Sequence, residues 1–367
     1  MRVTFPHMGR IDIPGYTFFK RLGWDVIIPP PITKKTIELG SRYAPEFACF
    51  PLKINLGNMI EALELGAEVI FMAGGHGPCR FGYYGEVEKT ILKDLGYNFE
   101  FYVFEPYAGR FKKFFQPICQ LFKYEKNLLK IYNAGKIAWE QGKAIDVITK
   151  SVYRIWPREE IPGTTKRLYQ SAIAKIKKAD SVSTIRYIVD DTLKQLGEIK
   201  IKKETPLKVA LVGEIYAVLE PYMNFNLEDF LSDRGVEVTR TIYITDWAEE
   251  QLIPKKIRQK KKIGHHEESK RFACGYLDHF VGGHGIETVG TAVKYAQAGY
   301  DGVIQVLPFT CMPEIVAQSI LPSISRDYEI PILTIIIDEH SGQAGLITRL
   351  EAFIDLLQWK RSKKEVC

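Results

Sequence analysis

Residues 54–78 read INLGNMIEALELGAEVIFMAGGHGP, and this stretch decides the fold. Ile54, Met59, Ile60 and Leu63 fall near helical spacing, and Gly66 supplies a helix-ending signal. Residues 68–73, EVIFMA, then read as a buried strand, apolar from Val69 onward, that empties into a glycine-rich turn. Helix, buried strand and tight turn in succession are one step of an α/β cadence, whose stable solution is a parallel sheet.

The cadence extends outward. VTF (3–5) and WDVIIPP (24–30) read as strands, the second stopped by its prolines, with a short helix over 15–22 between them. A helix over 87–95 and the strand FEFYVFE (99–105) follow the glycine turn. Strand signals then fade, and residues 108–200 carry helical periodicity with many lysines and aromatics. A charged connector (198–208) leads to the strand VALVGEI (209–215), the helix NLEDFLSDRG (226–235) and the strand VEVTRTIYI (236–244). DGVIQVLP (301–308), a helix over 314–321, PILTIIID (331–338) and a helix over 346–357 restore the alternation. The fold class is therefore α/β: two doubly wound lobes with parallel sheets, at 1–107 and 207–367, and a mostly helical segment with its linker at 108–206.

The lobes echo one another in short strings. AGGHG (73–77) returns as VGGHG (281–285), and Cys49-Phe-Pro51 returns as Cys311-Met-Pro313. The pairs suggest a duplicated plan.

The chain has 367 residues, 46% hydrophobic and 26% charged, the profile of a globular protein with ample core. Its net charge of +6 is too modest for a nucleic-acid binder, and no apolar run approaches the roughly 20 residues that cross a bilayer. The first residues lack the apolar core of a secretory signal, so a cytoplasmic location is expected. The basic excess gathers in IPKKIRQKKKIGHHEESKR (253–271), a solvated face or a docking surface.

Six cysteines in such a chain point to metal, redox or buried-thiol roles. Cys49, Cys79 and Cys311 share a setting beside a proline or glycine turn, and the last two follow strands just ahead of helices. In an open α/β sheet that is the carboxyl edge, where ligands collect and helix N-termini favour thiolates. Burial as inert thiols fits the same residues. Cys119 reads as packed in an aromatic helix, Cys274 as a candidate ligand whose helical neighbours favour burial, and Cys367 as too near the terminus to build a rigid site. The GGHG string fails the dinucleotide spacing, and no phosphate-binding loop occurs, so ATP use is not expected. His76 is placed to donate to a bulky group or to face water. Glu339 and His340 sit at a strand end, where acid–base chemistry competes with helix capping by Asp338 or Ser341.

PEFACFPLKINLGNMIEAL (45–63), GGHGPCRFGYYGEVEKTIL (74–92), LPFTCMPEIVAQSILP (307–322) and DEHSGQAGLITRLEAFIDLL (338–357) together resemble stand-alone relatives of 2-hydroxyacyl-CoA dehydratase component D. This superfamily also holds the double-cubane cluster proteins. The resemblance spans about 1–105 and 207–358, leaving the helical middle and the basic run uncovered. It implies an oxygen-sensitive 4Fe–4S cluster on Cys49, Cys79 and Cys311 with one iron open. A double cubane would need all six cysteines, Cys119 and Cys367 included, so a single cubane is preferred. Phe47, Phe50, Phe81, Phe309 and Met312 would keep water from the cluster, and Arg80 would offset its charge, hold an anionic substrate or make a surface ion pair. The implied partners are an ATP-dependent iron–sulfur activase, for which the docking reading of 255–262 offers a surface, a second copy of the chain, and an acyl-CoA or other small substrate. The alternatives are a non-catalytic cluster carrier or assembly protein, and a metal-free binding module.

Overall fold

The computed structural model describes residues 1–75, 77–104, 124–252 and 264–366. Two compact units emerge. One comprises Met1–Ala144, Lys177–Ile185 and Ile244–Lys262; the other comprises Ile145–Ile176, Arg186–Tyr243 and Ile263–Cys367.

In the first unit, strands β1 (Arg2–Thr4), β2 (Asp25–Val26), β3 (Val69–Ala73) and β4 (Glu100–Phe104) form a parallel sheet in the order β2-β1-β3-β4. Helices α1 (Asp12–Arg21), α2 (Lys34–Tyr43), α3 (Phe50–Glu64) and α4 (Phe81–Asp94) connect the strands. α3 starts four residues before the sequence reading placed it, with Pro51 in its first turn, where the missing N–H costs nothing. Every residue of α3 from Phe50 to Leu63 is buried. It meets α2 backbone to backbone: a Cβ on Gly40 would lie 1.7 Å from the Lys53 carbonyl oxygen, and one on Gly57 2.0 Å from that of Thr36. Glycine is required at both places by this approach.

The second unit repeats the plan. β5 (Leu207–Gly213), β6 (Val236–Arg240), β7 (Gly302–Pro308) and β8 (Ile332–Ile337) are all parallel, in the order β6-β5-β7-β8. β7 is buried at all seven positions, the continuous pattern of a parallel strand covered on both faces. The long helices α5 (Leu128–Ile155), α6 (Thr164–Lys178) and α7 (Val182–Glu198) fill the expected helical stretch and contribute to both units. After β5 come α8 (Ile215–Leu219) and α9 (Leu227–Asp233); after β6 come α10 (Ile244–Leu252), α11 (His265–Ala273) and α12 (Gly285–Gln297). α13 (Met312–Asp327) follows β7, and α14 (Gln343–Val366) follows β8. A Cβ on Gly290 of α12 would lie 1.8 Å from the Ser269 carbonyl oxygen of α11, a second glycine-mediated helix contact.

Two expectations are corrected. β2 and β6 are shorter than their apolar runs, since each is an edge strand with one pairing neighbour. The motif echo is not positional: GGHG follows β3 in the first unit but precedes α12 in the second. What repeats is the strand order, and the strings occupy non-equivalent places in it.

Candidate functional site at the sheet carboxyl edges

Strand order reverses between β1 and β3 in the first sheet and between β5 and β7 in the second, so each unit has a switch-point crevice at its carboxyl edge. In the first unit Cys49 is the N-cap of α3, extended at φ −63° and ψ 148°, and its side chain caps nothing. The sulfur is buried and hydrogen-bonded with the Tyr84 hydroxyl. Arg80 Nη2 stands 3.8 Å from the same sulfur, while Nη1 donates to the Phe47 carbonyl at 2.8 Å. A phenol, a guanidinium and a helix N-terminus together suit a sulfur that carries negative charge.

α4 builds this arrangement. Arg80 is its N-cap and Tyr84 lies one turn later, so both reach the start of α3 from one face. Phe81 packs edge-on against Tyr84 at 5.4 Å, and a Cβ on Gly75 would meet Phe81 at 2.8 Å, so the glycine turn must stay bare. One turn beyond Tyr84 lies Glu88, fully buried, with neither carboxyl oxygen hydrogen-bonded among the described residues. Burial holds its carboxyl well above the ordinary carboxylate range. His7, beyond β1, donates from Nε2 to the Pro29 and Pro30 carbonyls at 2.9 and 3.0 Å, and its N–H donates to Asn58 of α3. Cys79 sits half-buried in the turn before α4.

In the second unit Cys311 is the buried N-cap of α13, again followed by a proline in the first turn. The preceding Thr310 has φ +65°, a strained value for a β-branched residue. Three residues past Cys311, Glu314 is fully buried, accepts from Thr288 Oγ1 at 3.0 Å and from Gln305 Nε2 at 2.9 Å, and has its carboxyl pushed up to about 8. Burial dominates that shift; the two donors oppose it, and the nearby Glu214 and Glu287 carboxylates reinforce it.

Cys49, Cys79 and Arg80 thus belong to one unit and Cys311 to the other. Arg80 serves Cys49 rather than its chain neighbour Cys79. Cys274 ends α11 and is exposed, contrary to the burial expected of it, because the helix stops just before it. Of the apolar residues expected to screen the site, Phe47 and Phe309 are 70% and 54% exposed and Met312 is 43% exposed, whereas Phe50 is buried. Glu339 and His340 lie in the turn after β8, where Asp338 accepts from the His340 N–H and the Ser341 hydroxyl. His76, Cys119, Cys367 and the basic run 255–262 lie outside the described residues. Tyr84, His7, Glu88 and Glu314 were absent from the sequence candidates. Among the described residues no three His, Cys, Asp or Glu side chains converge as a ready-made metal site, and no helix is long and apolar enough to cross a membrane.

A family model described as CoA enzyme activase uncharacterised domain (DUF2229) matches residues 15–74. That segment runs from α1 to the end of β3, so it contains Cys49 and stops short of Cys79. Over it the chain is similar to a domain of the CoA enzyme activase system. A search of curated proteins found no match to the chain.

Proposed function

We propose that this chain is an iron–sulfur protein of the CoA enzyme activase and dehydratase system, with Cys49, Cys79 and Cys311 as ligands to a 4Fe–4S cluster. The observation that carries the reading is the setting of Cys49: a buried sulfur held by Tyr84 and Arg80 at the start of a buried helix. The donor set fits the group, since thiolates hold iron–sulfur clusters and charged donors around sulfur tune them. When bound, the cluster would supply one-electron chemistry at low potential. The chain's own residues do the rest: α3 and α13 present their N-cap thiols, and Tyr84 and Arg80 fix the Cys49 sulfur and balance its charge. Electrons would arrive from a separate ATP-hydrolysing activase, and the reduced protein would act on an acyl-CoA or another small substrate.

The test is the iron and sulfide content of anaerobically prepared protein. Wild type should bind both, and alanine at Cys49, Cys79 or Cys311 should strip or convert the cluster, whereas Cys119→Ala should not. Full iron content in all three single variants, or none in wild type, overturns the assignment. The same reading has the chain pair with a second copy, so light scattering should return a particle heavier than the 42.0 kDa chain at every concentration.

A further inference from the structure

Cys311 is reached through a turn that the chain would not adopt unaided. Pro308 ends β7 and Met312 begins α13, and the Cys311 N–H closes the turn between them by donating to the Pro308 carbonyl at 3.0 Å. Thr310 holds the third position of that turn at φ +65°, where a left-handed backbone favours glycine or asparagine over a β-branched residue. Such a conformation persists only where its surroundings over-determine it.

Both flanks of the turn are fixed. On the strand side, the Phe309 N–H donates to the Ile337 carbonyl at the end of β8 at 2.8 Å. On the helix side, Glu314 in the first turn of α13 is tied to three other elements. Gln305 of β7 directs its amide N–H groups to the Glu314 carbonyl oxygen at 3.1 Å and to Oε2 at 2.9 Å, and it accepts from Thr334 of β8 at 3.0 Å. Thr288 of α12 donates to the same carboxyl at 3.0 Å. Gln305, Glu314 and Thr288 are all buried, so water does not compete for these bonds. α12 pins Pro313 as well, since a Cβ on Gly285 would lie 2.7 Å from its carbonyl oxygen. The first turn of α13 is thus held against β7, and the chain from Phe309 to Cys311 must bridge the interval that remains.

We propose that Gln305 and Thr288, acting through Glu314, are positioning residues for Cys311: their hydrogen bonds hold the Thr310 turn in its left-handed shape, and that shape sets where the sulfur stands. When the network is loosened, Thr310 relaxes toward negative φ and carries the helix N-cap and its buried thiol with it. Glycine at 310 removes the drive to relax, so it restores the position even with the network cut. What the position serves, iron ligation, rests on the function proposed above; the turn and its clamp are properties of the metal-free chain.

The experiment reads Cys311 in full-length, metal-free protein by mass-spectrometric alkylation, with Cys49 of the other unit as the internal control. Thr288→Val should speed labelling of Cys311 by roughly tenfold, the factor set by losing one buried hydrogen bond, and leave Cys49 at its wild-type rate. Thr288→Val combined with Thr310→Gly should bring Cys311 back to within about twofold of wild type, a rescue that two independent sites would not show. Wild-type labelling in a folded Thr288→Val, or equal labelling in the single and double variants, overturns the proposal. Should Thr288→Val not fold, Thr334→Val cuts the network at its β8 end and carries the same pair of expectations. In anaerobically prepared protein, Thr288→Val should also release iron to a chelator roughly tenfold faster, and Thr310→Gly should reverse this. Iron release untouched by Thr288→Val overturns the positioning role. Wild type without iron overturns the cluster assignment instead, and the alkylation rates then decide the turn alone.

Discussion

Tyr84 shows how a single side chain can define a thiol. Its hydroxyl bonds the Cys49 sulfur, which the proposed function takes as a thiolate, and a hydrogen bond to a charged group contributes about 1.5–3 kcal/mol. Removing it in Tyr84→Phe should slow alkylation of Cys49 at neutral pH by roughly tenfold, the factor that about 1.4 kcal/mol gives. Arg80→Gln should act in the same direction but more weakly, since the guanidinium is exposed and 3.8 Å away. Mass-spectrometric alkylation rates check both, and equal or faster labelling would show that Tyr84 and Arg80 do not hold a thiolate. The sequence displayed Cys49 and Arg80 because a cysteine beside a proline and an arginine beside a glycine turn stand out. It concealed Tyr84 because GYYGE offers two tyrosines. Tyr83 is 66% exposed and Tyr84 is 4% exposed, a choice made by the rotation of α4 against α3. The stripe Tyr84, Glu88 and Leu92, spaced by four, carried that rotation and marks the face that turns inward.

At the scale of elements, the two units rest on buried helices joined through glycine contacts. Gly57→Ala and Gly290→Ala each place a methyl about 2 Å from a backbone carbonyl, which neither helix can relieve by moving a side chain. Overpacking of this kind costs about 1–3 kcal/mol. Gly197→Ala in α7 has nothing within 4 Å and should stabilise by up to about 1 kcal/mol through helix propensity. Denaturant midpoints of the three variants test this, and a wild-type midpoint for Gly57→Ala would mean that α2 and α3 can part at little cost. Strand positions were legible because β3, β5, β7 and β8 are apolar runs broken at most by a single polar residue, Lys208, Gln305 or Thr334. The ends of β2 and β6 were not. β2 pairs only at Arg2↔Asp25 and Val3↔Val26, and β6 stops at Arg240 opposite Leu211, although apolar residues continue past both. β2 has only the three-residue β1 to pair with, whereas β6 leaves β5 at Leu211 although β5 runs on to Gly213, so neither end is written in the strand's own residues.

On the scale of the whole molecule, the α/β plan was legible from cadence, while the division into interleaved units was not, because segments such as Lys177–Ile185 and Ile244–Lys262 join the first unit by tertiary packing alone. The buried acids were also silent in the sequence: Glu314 follows Cys-Met-Pro as any first-turn acid of a helix would, and only the covering of β7 by α12 and α13 removes it from water. Their burial has a consequence for the stability of the entire chain. Glu214 and Glu314 are raised to about 7 and about 8, so the folded protein holds protons that the unfolded chain releases above the ordinary glutamate value of 4.5. Their contribution to stability is complete below that value and declines as pH rises through 7 to 8, by roughly 1.4 kcal/mol per pH unit per group while the folded state alone is protonated. His284 and Glu287 act on the acid side. Burial lowers His284. Burial is also the largest single influence on Glu287 and would raise it, but the His266 hydrogen bond and the His284 and His266 charges together outweigh it and lower Glu287, so what the two groups contribute is lost as pH falls. The chain should therefore be less stable at pH 9 than at pH 6, and Glu314→Gln should flatten that alkaline decline by removing the group that must lose its proton in the interior. Denaturant unfolding between pH 5 and 9 measures both limbs. An alkaline limb equally steep in Glu314→Gln and wild type would place the decline elsewhere and show that Glu314 is already charged in the folded protein.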